Sequence, residues 1–182
     1  MDVYEAIEKR RTVRVFKKGA TEEQLRRIIL AGAKAPSAGN RQSWEFIVID
    51  DPKTIERLGE IKYQLNRKFS PGPGETEKEV EARALNQKTW FQNSSPVAIC
   101  TRSGDIGTGW LAVENMSLAA VAEGLGSNII SYWDEGKKEV EKILGLPEDY
   151  ALTCVLKLGV PGAEVTPPKR RPEFSWLHKN KF

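Results

Sequence analysis

Trp110-Leu111-Ala112-Val113-Glu114-Asn115-Met116-Ser117-Leu118-Ala119-Ala120-Val121-Ala122 reads as a helix that is apolar on nearly every face. A helix with so little polar face is buried on most sides, in a domain core or against a second subunit. Gly124 and Gly126 end it, since glycine suits the cap that follows a helix. Asn128 to Trp133 then reads as a strand. Upstream, Pro96 precedes Val97-Ala98-Ile99-Cys100, an apolar run of buried-strand character. Gly104, Gly107 and Gly109 read as a short flexible connection between that strand and the helix.

The flanks extend the same pattern. Val3 and Ile7 give a short amphipathic helix over 2–9, which runs into Arg10-Arg11-Thr12-Val13-Arg14-Val15-Phe16. There β-branched and polar residues alternate, so the chain is expected to be extended. Thr21 with Gln24 is a capping-box start for a helix through about Ala33, and Ala35 to Asn40 has turn chemistry. Trp44 to Asp50 reads as a buried strand, followed by Asp51-Pro52, a helix start that leads to about Lys68. Ser70-Pro71-Gly72-Pro73-Gly74 is a loop, and the charged stretch from Glu75 suggests an exposed helix ending near Phe91. Val140, Ile143 and Leu144 support a short helix, and Leu152 to Leu158 a last strand. From Val160 onward the chain is proline-rich and patternless. It reads as an extended arm lying on another subunit, because Phe174, Trp176 and Phe182 are too aromatic to dangle freely. The element order is that of an α+β fold, strands surrounded by helices without strict βαβ alternation. Residues 1–159 are expected to form one domain, with 160–182 an arm of the same fold.

Composition narrows the chemistry. The chain has 182 residues with 28 Lys+Arg against 25 Asp+Glu, one His and two Cys. His178 lies close to the C-terminus, and Cys100 and Cys154 sit in apolar runs. A Ser/His/Asp or Cys/His nucleophile system has one poorly anchored His to use, and a zinc site lacks ligands. No membrane span, secretory signal or disulfide framework is evident, so a reducing, cytoplasmic setting is expected. With so little reactive side-chain chemistry, an enzyme of this composition would rely on a bound cofactor. Charge is uneven: residues 1–20 hold six bases against three acids, and 166–182 hold five against Glu173. Two tight basic clusters suit a single phosphate better than a polymer, which spreads bases and stacking aromatics over a broad face. Gly124-Leu125-Gly126-Ser127-Asn128-Ile129 follows a helix and lacks a third glycine, so it is no dinucleotide loop.

Three segments together carry a resemblance. Arg10 to Phe16, Ala35-Pro36-Ser37-Ala38-Gly39-Asn40-Arg41-Gln42-Ser43-Trp44 and Pro168-Lys169-Arg170-Arg171-Pro172 resemble, in order, three motifs of the FMN-dependent nitroreductase family. The resemblance covers roughly residues 2–172. It implies an α+β fold with a central, mostly antiparallel sheet of about four strands. It also implies a homodimer with shared flavin sites. FMN would be held by Arg10, Arg11, Thr12 and Arg14, with Lys169 and Arg171 closing the same site, so that both basic ends converge on one cofactor. Pro36, Ser37 and Asn40 would approach from the partner subunit, and Ser131 would stand where many relatives place a glycine beside the flavin N5 edge. Arginine suits such a ligand because its planar fork donates in pairs and stays charged.

The implied activity is hydride transfer from NADH or NADPH through flavin N5 to an electron-poor small molecule, such as a nitroaromatic or quinone, in a ping-pong scheme. No side chain is expected to act as catalyst, because the flavin carries the chemistry. No nucleic acid or membrane partner is expected. Ser43 departs from the family's proline, and Tyr132 or Trp133 either crowds the open flavin face or packs in the core. Two alternatives remain open at this level: a flavin-binding member without reductase activity, and a binding protein using its basic termini for nucleic acid or an acidic partner.

Overall fold

The computed structural model describes residues 1–182. Six helices, α1 (Val3–Lys9), α2 (Glu22–Gly32), α3 (Pro52–Asn66), α4 (Glu77–Thr89), α5 (Ile106–Ala122) and α6 (Asp134–Ile143), surround one sheet. Its strands are β1 (Phe16–Gly19), β2 (Trp44–Val48), β3 (Ser95–Arg102), β4 (Gly126–Ile130) and β5 (Tyr150–Pro161). All strand pairs are antiparallel: β2 lies on β3, β3 on β5, β1 continues past β3 along the same side of β5, and β4 lines the other side. The α+β architecture is therefore the one expected, with five strands rather than about four. The additional strand, β1, continues the segment read as extended. β5 runs through Val160 and Pro161, two residues the sequence reading gave to the arm, because their backbone pairs with β1.

The sheet is buried on both faces, which explains the continuous apolar runs of β3 and β5. Ala98, Cys100 and Val155 face a layer that includes Leu58, Ile61 and Leu65 of α3, Phe91 and Val140 of α6. Val97, Ile99, Cys154 and Leu156 face Ile28 of α2 and Val113, Met116 and Ala120 of α5. The period of two along a strand sends neighbours to opposite layers. Helix starts behave as their caps require. Thr21 and Gln24 exchange bonds of 3.2 and 3.0 Å, and the Asp51 carboxylate accepts the Thr54 N–H at 2.8 Å. Each such cap contributes about 1 kcal/mol.

Three readings need correction. α5 begins at Ile106, so Gly107 and Gly109 lie inside it and not in a connection. Gly109 has a packing role: a Cβ there would stand 2.2 Å from Thr153 Oγ1, so glycine lets α5 sit close on β5. β4 stops at Ile130, and Ser131 to Trp133 form the link to α6. β2 is an edge strand and only partly covered, with Val48 45% exposed, so its apolar run does not mark a central position. No helix is long and apolar enough to cross a membrane. Beyond Pro161 the arm has neither helix nor strand and its side chains are largely exposed. Its aromatics stack on each other, Phe174 with Trp176 at 5.9 Å and His178 with Phe182 at 4.4 Å.

Candidate functional site

The N-terminal basic segment is laid along the sheet by backbone pairing. Thr12 bridges to Ser127 at the start of β4, and the Val13 N–H donates to the Ser127 carbonyl at 2.9 Å. Val13 is 5% exposed, and alternation turns Thr12 and Arg14, on either side of it, outward. Gly126 makes this approach possible, since a Cβ there would fall 2.3 Å from Val13 Cγ2. Arg10 caps the C-terminus of α1 and reaches Glu114 of α5 at 4.0 Å. Arg11 folds back on α1, donating to the Glu8 carbonyl and, at 2.8 Å, to the Arg10 carbonyl. Its charge thus sits at a helix C-terminus, where the dipole favours a cation. Arg14 lies with its guanidinium 5.6 Å from the ring centre of Trp90.

Beside Arg14 the structure places two groups that sequence reasoning missed. Lys157 of β5 is fully buried, its Nζ 2.5 Å from the Trp90 carbonyl, with the Phe91 ring at 4.9 Å and the Phe16 ring at 5.7 Å. Burial, then the nearby Arg14 charge, pushes its pKa down to about 7. Directly across the strand pair is Asn128, 5% exposed, whose Nδ2 has no hydrogen-bond partner. Buried donors without acceptors are uncommon in folded proteins. Here a lone lysine within Leu152–Leu158 was the available signal.

The link after β4 is clamped to α3. Lys62 Nζ donates to the Ser131 carbonyl at 2.9 Å and lies 4.2 Å from the Trp133 ring centre. Its pKa is pushed down to about 8 by burial. The Tyr132 hydroxyl donates to the Leu58 carbonyl at 3.1 Å, and its ring belongs to the core between α3 and the sheet. Tyr132 therefore packs in the core, and Trp133 is turned toward Lys62 and Phe69. Lys62, four residues after Leu58, falls on the apolar stripe of α3 and was legible there as an oddity.

Pro36 and Asn40 are exposed on the turn between α2 and β2, and Ser37 is half-buried. Ser37 Oγ accepts the Gln42 N–H at 3.0 Å, and Asn40 adopts a φ of 53°. Ser43, where the resembling motif has proline, is buried and donates its hydroxyl to Asp105, just ahead of α5. That bond, with a second from Thr108, holds the Asp105 carboxyl below its ordinary pKa. Ser43 thus ties the turn to α5 as well as altering backbone stiffness. Lys169 and Arg171 are exposed on the arm, beyond the last strand. The prolines around them keep the arm out of the sheet, which leaves it free to cross to a neighbouring molecule. A cavity of about 590 Å³ lies among Arg67, Lys68, Phe69 and Glu81, and its Phe69 ring also meets Trp133 at 5.4 Å.

Neither cysteine offers a nucleophile here. Both cysteines are buried and free, with the Cys100 thiol pushed up to about 12 and that of Cys154 raised further, in each case mainly by burial. Thiols so protonated at neutral pH are unreactive.

Similarity to known proteins agrees with the geometry. An iodotyrosine deiodinase from Thermotoga neapolitana is 27% identical over 87% of this chain and 88% of its own length. An NADH dehydrogenase from Thermus thermophilus is 28% identical over 94% of this chain and 93% of its own. The crystal structure of an oxidised iodotyrosine deiodinase bound to FMN and 3-iodo-L-tyrosine superimposes with a TM-score of 0.81 at 25% identity, over the full length of both chains. The family model described as the Nitroreductase family matches residues 7–160, from the first helix to the end of the last strand, and the chain belongs to that family.

Proposed function

We propose that this protein is an FMN-dependent oxidoreductase that uses NADH or NADPH to reduce an electron-poor small molecule. The observation that carries the reading is the donor-rich spot where the N-terminal basic segment meets β4: Arg14 and the unpartnered Asn128 Nδ2, with the buried Lys157 packed behind them. FMN, with a phosphate and a ring edge rich in acceptors, fits such a donor set. When bound, it supplies hydride transfer through N5, accepting from the nicotinamide and giving to the acceptor.

The chain's own residues bind and orient. Arg10, Arg11, Thr12 and Arg14 donate to the phosphate, ribityl and pyrimidine groups, each charge-assisted bond contributing about 1.5–3 kcal/mol. Ser131, held by Lys62, would fix the backbone beside the reacting edge of a bound flavin, and Tyr132, packed in the core, would not crowd it. Lys169 and Arg171 complete the site across a dimer, to which the partner adds Pro36, Ser37 and Asn40. Exposed Val3, Tyr4, Ile7 and Leu111, together with the arm's Trp176 and Leu177, supply the apolar surface of that dimer. Sedimentation is expected to give a mass of two chains, and a monomer at micromolar concentration overturns the shared site.

The purified protein, or protein reconstituted with FMN, is expected to show flavin absorption at about 450 nm, a property of the cofactor. It is then expected to oxidise NADH or NADPH with at least one member of a panel of nitroarenes, quinones and halogenated phenols. The phenols belong in the panel because of the deiodinase relative. Failure to retain FMN ends the reading. Retention without turnover leaves a flavin-binding protein that has lost reductase activity. Neither a steeply salt-dependent nucleic-acid affinity nor an acidic protein partner for the basic ends is expected.

A further inference from the structure

We propose that Lys157 is a positioning residue of this site: its Nζ gains proton occupancy when an acceptor-rich, anionic ligand binds at Arg14, so that the wall behind Arg14 is more cationic when filled than when empty. The proposal rests on the reading of Arg14 as a cofactor contact and extends it to a residue behind it.

The geometry is specific. Lys157 has no exposure, yet its recorded partners are one carbonyl and two aromatic rings rather than a carboxylate. A buried ammonium so placed is costly, and the neutral amine is the cheaper state. The groups facing it come from every neighbouring element. β4 offers Asn128, β3 offers Pro96, β1 offers Phe16, and the end of α4 leads into Trp90 and Phe91. The charge acting on it is Arg14, of like sign. Trp90 couples the two: its carbonyl accepts from Lys157 while its ring lies against the Arg14 guanidinium. A ligand bringing negative charge to Arg14 offsets the repulsion and favours the protonated Nζ, which then strengthens its bond to Trp90 and steadies the platform under Arg14. The balance is simple: one proton moves from solvent to the Nζ lone pair, and no other bond changes. Because the unliganded amine pKa lies near 7, the uptake falls in an accessible range.

The sign follows from linkage. Above the pKa of the empty site, binding must recruit a proton, so affinity falls as pH rises, by up to about tenfold per unit until the pKa of the filled site is reached. FMN is titrated into the flavin-free protein between pH 6.5 and 9, for wild type and Lys157→Met. Calorimetry at pH 8 in two buffers of different ionisation heat counts the protons. Wild type is expected to lose affinity with rising pH and to take up a sizeable fraction of one proton. Lys157→Met is expected to lack the part of that dependence not owed to FMN itself. Lys157→Gln provides a second variant should Lys157→Met fold poorly: its amide can still donate to the Trp90 carbonyl but takes up no proton. Identical pH profiles in wild type and folded variants, or no proton uptake by wild type, overturn the proposal while leaving the flavin reading intact. No FMN binding at any pH removes both.

Discussion

Arg14→Gln is expected to weaken FMN binding by about ten- to a hundred-fold, the loss of one charge-assisted interaction of about 1.5–3 kcal/mol. Arg14 is an exposed side chain whose recorded contact is the Trp90 ring. Surface substitutions without buried partners usually change stability by less than about 0.5 kcal/mol. Melting of the flavin-free variant should therefore match wild type, while fluorescence titration with FMN separates them. Lysine at the same position should recover part of the loss, since it keeps the charge but not the paired donors. An affinity within twofold of wild type for Arg14→Gln would remove Arg14 from the site.

Gly126→Ala is the second large effect, and it connects the fold to the site. The new methyl would meet Val13 at 2.3 Å from Cγ2 and 2.7 Å from Cβ. Val13 cannot move aside cheaply, because it is buried and its N–H is bonded to Ser127. Overpacking of this kind costs about 1–3 kcal/mol. For a chain of this size the melting temperature falls by roughly 2–4 °C per kcal/mol. The segment displaced is the one that carries Thr12 and Arg14, so FMN affinity should fall together with stability. Val13→Ala in the same chain removes the Cγ2 contact but keeps Cβ at 2.7 Å, so it should restore only part of both. Gly107→Ala is a clean contrast. It lies in α5 with nothing within 4 Å of the added atom, and a gain of about 0.4–1 kcal/mol is expected there. Equal melting of Gly126→Ala and wild type would show that Val13 does not fix the segment.

Lys62 shows how the site depends on the body of the fold. A helix residue on the buried side of α3 holds the carbonyl of Ser131, and the neighbouring Tyr132 is fastened to the same helix through Leu58. Crowding by Tyr132 was a fair concern from the sequence, where an aromatic beside the reacting edge looks obstructive. Packing answered it, because the hydroxyl has a buried acceptor and the ring has a core to enter.

Much of the architecture was legible because it follows local rules. Capping chemistry at Thr21 and Asp51, the buried runs of β3 and β5, and the apolar α5 each depend on residues close in sequence. Gly107 and Gly109 look like a loop by composition, and Gly109 gains its reason only when β5 is placed beside it. The motif segments around Arg10 and Pro36 could be found as strings. Their surroundings could not, since Trp90, Asn128 and Lys157 come from three separate elements that only the antiparallel pairing of β4 with β5 and the turn after α4 bring together. By itself the sequence determined the class of fold and the two basic ends. The tertiary structure alone decided that Arg14 faces a buried amine, that Tyr132 belongs to the core, and that one chain leaves Lys169 and Arg171 on an exposed arm. The physical reason is range: propensity and periodicity act over a few residues, whereas burial, charge proximity and close packing are properties of surfaces that meet only after the sheet has formed.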